Sequence, residues 1–241
     1  MSYRRLQGEE IIATADRLGA RISERFPGSG LSKVAAELAQ VTRETEQRIA
    51  DLRRPRWGLR AGIGFLIVLI AAVALFALAG MQRPDSISHL GEFVQLLEST
   101  INDLIFVGVA ILFLVTLEER LRRRDALRAL HELRSLVHIV DMHQLTKDPD
   151  QFSAGRTDTK ASPARALSPA QLGRYLDYCS ELLSIIGKVA TLYAQQLYDP
   201  VVLAAVGEVE TLTAGLSNKI WQNLVILGTA PSSPAGHTRA Q

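Results

Sequence analysis

Residues 61–81 form an apolar segment, AGIGFLIVLIAAVALFALAGM, in which no charged residue occurs. A helix rises about 1.5 Å per residue, so these residues would span about 31 Å, which matches a hydrocarbon core of about 30 Å. A surface helix of a soluble domain carries a polar face, and this segment has none. The segment therefore predicts a membrane-spanning helix.

A second apolar segment, LIFVGVAILFLVTL, covers 104–117, and its extension back to residue 99 includes Asn102 and Asp103. Taken alone, its core is short enough to be a buried helix of a soluble domain. It ends abruptly in EERLRRR, and the chain must return across the membrane after the first span. An acidic residue near one end of a span can reach the interface, so we expect 99–117 to be a second span.

Arginines flank both apolar segments and predict the orientation. Four precede the first segment and four follow the second: Arg53, Arg54, Arg56, Arg60, Arg120, Arg122, Arg123 and Arg124. The connection 82–98 has only Arg83. Cytoplasmic flanks are rich in Lys and Arg, so the pattern predicts a multi-pass inner-membrane protein with both termini in the cytoplasm. The eight arginines would contact anionic lipid headgroups.

The connection 82–98 faces outward in this topology. Apolar residues recur in it at steps of three and four, so it either lies on the outer surface or extends the second span. No nucleic-acid partner is expected, because the net charge is only +2 and no aromatic residues interleave with the arginines.

The N-terminal part, 1–56, contains two apolar stripes at helical spacing, separated by PGSG at 27–30. The residues of the stripes are Ile11, Ala15, Leu18, Ile22 and Phe26, then Leu31, Val34, Leu38, Val41, Thr45 and Leu52. The second stripe follows a heptad pattern in which Arg48 occupies one seam position. It indicates packing within the chain or a coiled coil between chains.

After the two-span region, 57–118, we expect the second span to continue without a break as a long cytoplasmic helix, because no Pro interrupts 104–147. A polar linker, 148–167, would follow, and SPAQ at 168–171 has the residues of a capping box. Asp199-Pro200 would start the last helix, and 231–241 would be a disordered tail. Each of these three helices has an apolar stripe at helical spacing that predicts its buried face. The stripe residues are Ala126, Leu130, Leu133, Val137 and Val140 on the long helix; Leu172, Leu176, Cys179, Leu183, Ile186, Ala190, Tyr193 and Leu197 on the next; and Val202, Ala205, Val209, Leu212, Leu216, Ile220 and Leu227 on the last. The fold class is therefore an all-α membrane protein with a cytoplasmic helical bundle over 119–230.

The densest polar cluster lies on the long helix. Within about 80° of one another on its surface, at 3.6 residues per turn, fall four residues: His131, Arg134, His138 and Asp141. His131, His138 and Asp141 are candidate metal ligands, with a further carboxylate supplied by Asp177, Glu181 or Glu208. The alternative is a polar rim in which Arg134 and Asp141 form ion pairs and the histidines hydrogen-bond across the bundle, and an arginine among the ligands favours this alternative.

The remaining motifs exclude several classes of site. Cys179 is the single cysteine, so the chain has no internal disulfide, and its place on an apolar stripe indicates a core residue. No catalytic residue and no cofactor are expected, apart from the divalent metal just considered. The sequence favours a non-enzymatic interaction or sensing module that binds a protein partner or a second copy. A homo-oligomeric channel and a metal-dependent enzyme are the alternatives.

Overall fold

The structure is a computed structural model that describes residues 5–53, 57–80, 90–147, 160 and 167–229, with part of the side chains left out in the third and fourth helices. Six helices make up this part of the chain, and no strand occurs in it. They are α1 (Gly8–Arg25), α2 (Gly30–Arg53), α3 (Trp57–Gly80), α4 (Leu90–Leu145), α5 (Pro169–Gln196) and α6 (Pro200–Thr229). The all-α prediction is confirmed for these residues.

Two compact units divide the chain. The bundle unit contains Met1–Asp51 and Ala126–Gln241, and the middle unit contains Leu52–Asp125. The N-terminal helices thus belong to the same unit as α5 and α6, an association that the sequence left open. The middle unit contains α3 and the first part of α4.

Helix α4 is continuous over 56 residues. At about 1.5 Å per residue such a helix is about 84 Å long. The expectation that the second apolar segment continues into a long helix is therefore confirmed as far as Leu145. The predicted linker 148–167, except residues 160 and 167, and the predicted tail 231–241 lie outside the described residues.

The core of the bundle unit consists of the apolar stripes that the sequence predicts. Leu197 was predicted in the stripe of α5 but is half-buried, just past the end of that helix. The other predicted stripe residues on α1, α4 and α5 are buried: Ile11, Ala15, Leu18, Ile22, Ala126, Leu130, Leu133, Val137, Val140, Leu172, Leu176, Cys179, Leu183, Ile186, Ala190 and Tyr193. On α2 the heptad seam is also buried within the chain, which matches the intramolecular alternative. Burying one such side chain contributes about 1.5–3 kcal/mol, so these stripes supply the main driving force of the fold.

Helix α6 buries a slightly different stripe from the predicted one. Val202, Val209 and Ile220 are buried as expected, and Val206 and Thr213 are buried in addition. Ala205, Leu212 and Leu216, which were expected in the core, are only half-buried. The side of α6 that packs against α5 is buried, whereas Leu212 and Leu216 lie on another flank, where they line an open groove beside Arg134 of α4.

Polar side chains define where α5 and α6 begin. Ser168 Oγ accepts a hydrogen bond from the Gln171 amide at 3.2 Å, and Gln171 Oε1 accepts one from the Ser168 amide at 2.9 Å. The predicted capping box is thus confirmed. At the start of α6, Asp199 Oδ1 accepts a hydrogen bond from the Val201 amide at 2.9 Å, so the predicted capping acid is confirmed as well.

Candidate functional site: the rim between α4 and α6

Two ion pairs join α4 to α6 in the bundle unit. Arg134 Nη1 lies 3.0 Å from Glu208 Oε2, and Lys219 Nζ lies 3.6 Å from Asp141 Oδ1. From the first pair to the second, the residue numbers rise on both helices. Helices α4 and α6 therefore run parallel to each other here. Arg134 and Asp141 are therefore both paired, as the polar-rim alternative required, but each pairs with α6.

Among the described residues, the imidazoles of His131 and His138 make no hydrogen bond, so the histidine part of the polar-rim alternative is not found there. His131 and His138 are exposed on α4, and His143 is half-buried on the other flank of the helix, where its ring is close to Gly30 of α2. His143 therefore contributes to packing between α4 and α2.

The carboxylates proposed as additional metal ligands each lie beside an arginine. Glu208 pairs with Arg134, while Glu181 and Asp177 of α5 pair with Arg21 at 3.1 Å and Arg174 at 3.3 Å. In the part of the chain that the structure describes, no three His, Cys, Asp or Glu side chains form a group suited to a metal ion. The metal site at His131, His138 and Asp141 stays a prediction.

An open groove of about 770 Å³ runs along α6 beside the Arg134–Glu208 pair. Its lining is mostly apolar or small: Gly207, Thr211, Leu212, Gly215 and Leu216, with the two charged residues at the rim. Its polar groups are engaged within the lining, because Glu208 pairs with Arg134 and the Thr211 hydroxyl donates to the Gly207 carbonyl at 2.7 Å.

A second polar cluster, between α2, α4 and α5, was missed as a site by the sequence analysis. Arg48 Nη1 lies 2.6 Å from Glu132 Oε2, and the buried Tyr193 hydroxyl donates to Thr45 Oγ1 at 3.4 Å. The hydrogen bond that Arg48 donates to Glu132 raises the pKa of Arg48, and burial raises the pKa of Tyr193. The sequence did contain a signal for this cluster, because Arg48 is a charged residue at a seam position of a heptad.

Cys179 is fully buried on α5. Burial raises the pKa of its thiol from an ordinary value of 9.0 to about 12, because the thiolate is poorly solvated there. A thiol that stays protonated at neutral pH is a poor nucleophile. The expectation of a core residue agrees with this environment.

The middle unit contains the flanking arginines that the structure describes. Glu118 of α4 accepts from Arg60 of α3 at 2.8 Å and from Arg122, one turn further along α4, at 2.6 Å. The Arg120 guanidinium lies 5.3 Å from the centre of the Phe113 ring, and Arg124 is exposed. The predicted headgroup contacts at Arg54 and Arg56, and at the side chain of Arg53, lie outside the described residues.

By length and composition, one helix of the described residues could cross a membrane. It covers Pro200–Gly228, and 22% of its most apolar window is buried inside the protein. A shorter apolar helical segment covers Arg60–Ala72 of α3. A scan against protein-family models finds no match for the chain, and searches of the curated proteins and of the solved structures find none either.

Proposed function

We propose that this chain is a membrane-anchored helical interaction module with no catalytic activity of its own. Two spans, 61–81 and 99–117, anchor it in the inner membrane with both termini in the cytoplasm. The bundle unit is then cytoplasmic and associates with the bundle unit of a second copy. The observation that carries this proposal is the exposed apolar surface of the middle unit.

That surface has the composition of a lipid-facing surface. Large apolar side chains are more than 60% exposed on both helices: Phe65, Val68 and Leu75 on α3, and Leu104, Phe106 and Leu112 on α4. Soluble monomers rarely expose a contiguous apolar patch beyond a few hundred Å². Hydrocarbon solvates such residues at no cost, so a bilayer accounts for their exposure.

The ion pairs of the middle unit support spans that end at the same level. Arg60, at the start of α3, and Glu118, past the apolar part of α4, form a pair at one end of the two apolar segments. Arg122 adds a second positive charge to Glu118. Charged groups at a span end can reach the interface, and an excess of arginine marks that end as cytoplasmic.

Helix α6 is the alternative span, since it is long and apolar enough. Three charged residues argue against it: Glu208 and Lys219 pair with α4, and Glu210 accepts from Thr191 of α5 at 2.7 Å. If α6 crossed the bilayer, these groups and their partners would be buried in hydrocarbon at a cost of several kcal/mol, and the tail would lie outside.

Labelling of single cysteines in intact cells with a membrane-impermeant maleimide tests the topology. The native Cys179 is buried and its pKa is about 12, so it contributes little background. We expect Ser88→Cys to react from outside, and Ser135→Cys and Ser233→Cys to react only after lysis. Reaction of Ser135→Cys in intact cells would overturn the proposed topology. If Ser233→Cys reacts in intact cells while Ser135→Cys does not, α6 would be a span.

The open side of α6 supports a second copy as the partner. Val201 and Ile226 are exposed, and they lie about three helical turns before Leu212 and about three beyond Gly215, so they extend the groove on the same side. The rim presents both a cation, Arg134, and an anion, Glu208, as a surface that pairs with itself requires. Anchorage in one bilayer raises the local concentration of both copies.

Sedimentation of the full chain in detergent tests this association. We expect a dimer, and we expect Ile226→Glu to weaken it at least tenfold, since a charge would enter an apolar contact. Tyr198→Glu, at an exposed position outside the groove, is the matched control and should leave the dimer intact. A monomeric wild-type chain, or equal effects of the two variants, would remove the second copy as partner.

A further inference from the structure

Helices α1 and α5 of the bundle unit line a polar cleft, here called the α1–α5 cleft. Its two halves have volumes of about 540 Å³ and 360 Å³. Basic side chains from both helices line it: Arg17, Arg21 and Lys188 in the larger half, and Arg21, Arg25 and Arg174 in the smaller. Arg21 lines both halves, so they adjoin at its side chain.

Positive charge is concentrated in the α1–α5 cleft. Five basic side chains line it against two acidic ones, Glu24 and Glu181, which leaves an excess of three positive charges. The whole chain has a net charge of only +2. Asp177, which pairs with Arg174 at 3.3 Å, reduces this excess to two positive charges, and a bound anion would relieve the remaining repulsion.

Three of the cations have no acidic partner among the described residues. Arg17 Nε donates to the carbonyl of Ala13 at 3.1 Å, and Lys188 Nζ donates to Ser184 Oγ at 2.5 Å. Arg25 likewise pairs with no carboxylate in this part of the chain. These groups keep donors that can bind an anion.

We propose that the α1–α5 cleft binds a small phosphate-bearing ligand. Guanidinium groups form paired, charge-assisted hydrogen bonds with phosphate oxygens, and the Lys188 ammonium adds a third charge. Hydroxyl donors are supplied by Ser180 and Ser184 on α5. A phosphate group has up to two charges and three acceptor oxygens, which matches this donor set better than a single carboxylate does.

Glu181 has a separate role in this site. Its pair with Arg21, at 3.1 Å, holds that guanidinium in the cleft while no ligand is bound. The same carboxylate repels a bound phosphate. Glu181 therefore orders the site and also lowers its affinity, and the second effect dominates because Arg21 also stacks on the Tyr178 ring at 5.3 Å.

Calorimetric titration of the full chain in detergent with inorganic pyrophosphate tests the proposal. We expect binding that weakens as salt increases. The variant Arg17→Gln with Lys188→Gln should weaken it at least tenfold. The matched control, Lys33→Gln with Arg128→Gln, changes the net charge equally at exposed positions outside the cleft and should change the affinity less than twofold.

A third variant should change the affinity for pyrophosphate in the opposite direction. Glu181→Gln should strengthen pyrophosphate binding about threefold or more. The proposal is overturned if pyrophosphate does not bind, if the cleft and control variants weaken binding equally, or if Glu181→Gln weakens it.

The phosphate can come from a soluble compound or from a lipid headgroup, and nanodiscs distinguish the two sources. In discs of phosphatidylcholine with phosphatidylglycerol, a headgroup in the cleft would compete with pyrophosphate, and the difference between the wild-type chain and the Arg17→Gln, Lys188→Gln variant would disappear. If that difference persists, the ligand is a soluble phosphate compound. Both results support phosphate recognition and assign its source. None of these outcomes depends on the proposed span topology.

Discussion

Arg48 and Glu132 join helices α2 and α4 through an ion pair in which Arg48 Nη1 lies 2.6 Å from Glu132 Oε2. Glu44 lies on the other side of the same guanidinium, at 3.2 Å from Nη2. The pair lies beside the buried side chains of Thr45 and Tyr193. Arg48 is thus a charged residue in the seam of α2, whose other positions are buried. The ion pair connects an N-terminal helix to the long helix.

A double-mutant cycle with Arg48→Met and Glu132→Gln should give a small coupling energy. The two side chains are 39% and 41% exposed, and exposed pairs of this kind are worth about 0.2–1 kcal/mol. Chemical denaturation of the full chain at low and high salt would measure it. A coupling well above this range, or one that salt does not reduce, would show that water is excluded from the pair more than its exposure indicates.

Alkaline pH should destabilise the bundle unit. Burial raises the pKa of Cys179 to about 12 and raises the pKa of Tyr175 and Tyr193 above their ordinary values. Between pH 9 and 12 the unfolded chain loses the thiol proton while the folded chain keeps it, so the free energy of unfolding falls as pH rises. Each such group contributes a slope of at most about 1.4 kcal/mol per pH unit.

Unfolding of Cys179→Ala over the same pH range is the control for that prediction. The variant should be less stable at pH 7, because it leaves a small cavity, and its stability should fall less steeply above pH 9. An unchanged slope would mean that the thiol does not titrate differently in the two states.

Ser168→Ala should destabilise the start of α5. It removes the oxygen that accepts the Gln171 amide, and the loss of such a cap costs about 1 kcal/mol. Ser168→Asp keeps an acceptor at the same place and should retain most of the stability. Thermal unfolding of both variants measures the difference, and equal losses would contradict a role for the capping hydrogen bond.

Lys219→Met should lower the free energy of unfolding by more than the removal of an ordinary exposed charge does. Asp141 Oδ1 is buried and its contact with Lys219 is a charge interaction at 3.6 Å, beyond hydrogen-bond range. Removing the cation leaves this oxygen uncompensated, at a cost of about 1–3 kcal/mol. Replacing both residues, Asp141→Leu with Lys219→Met, should recover most of that loss, as denaturation would show. A double variant as unstable as Lys219→Met would contradict this account.

The sequence predicted helices, caps and buried faces well because these depend on local chemistry. The seven stripe residues of α5 from Leu172 to Tyr193 follow from a period of 3.6 residues, and the Ser168–Gln171 box follows from spacing alone. The stripe of α6 was less accurate, since Val206 and Thr213 are buried in place of Leu212 and Leu216. Which flank of α6 faces α5 depends on packing with a neighbour.

The ion pairs could not be predicted in the same way, because each joins residues that are distant in sequence. The helical period grouped His131, Arg134, His138 and Asp141 on one face of α4, and they do share it. Only the tertiary structure decided that Arg134 meets Glu208, that Asp141 meets Lys219 and that Glu181 meets Arg21. Long-range partners depend on how helices pack, and helix packing depends on the shapes of whole surfaces.

By itself, then, the sequence determined the all-helical class, the continuity of α4 through its apolar segment, and the faces that are buried. These features follow from hydrogen bonds and apolar periodicity within single helices. The tertiary structure alone decided that α1 and α2 join α4, α5 and α6 in one unit, and thereby that arginines of α1 meet the basic side chains of α5. The physical reason is that an apolar stripe specifies the need for a partner surface without specifying which surface covers it.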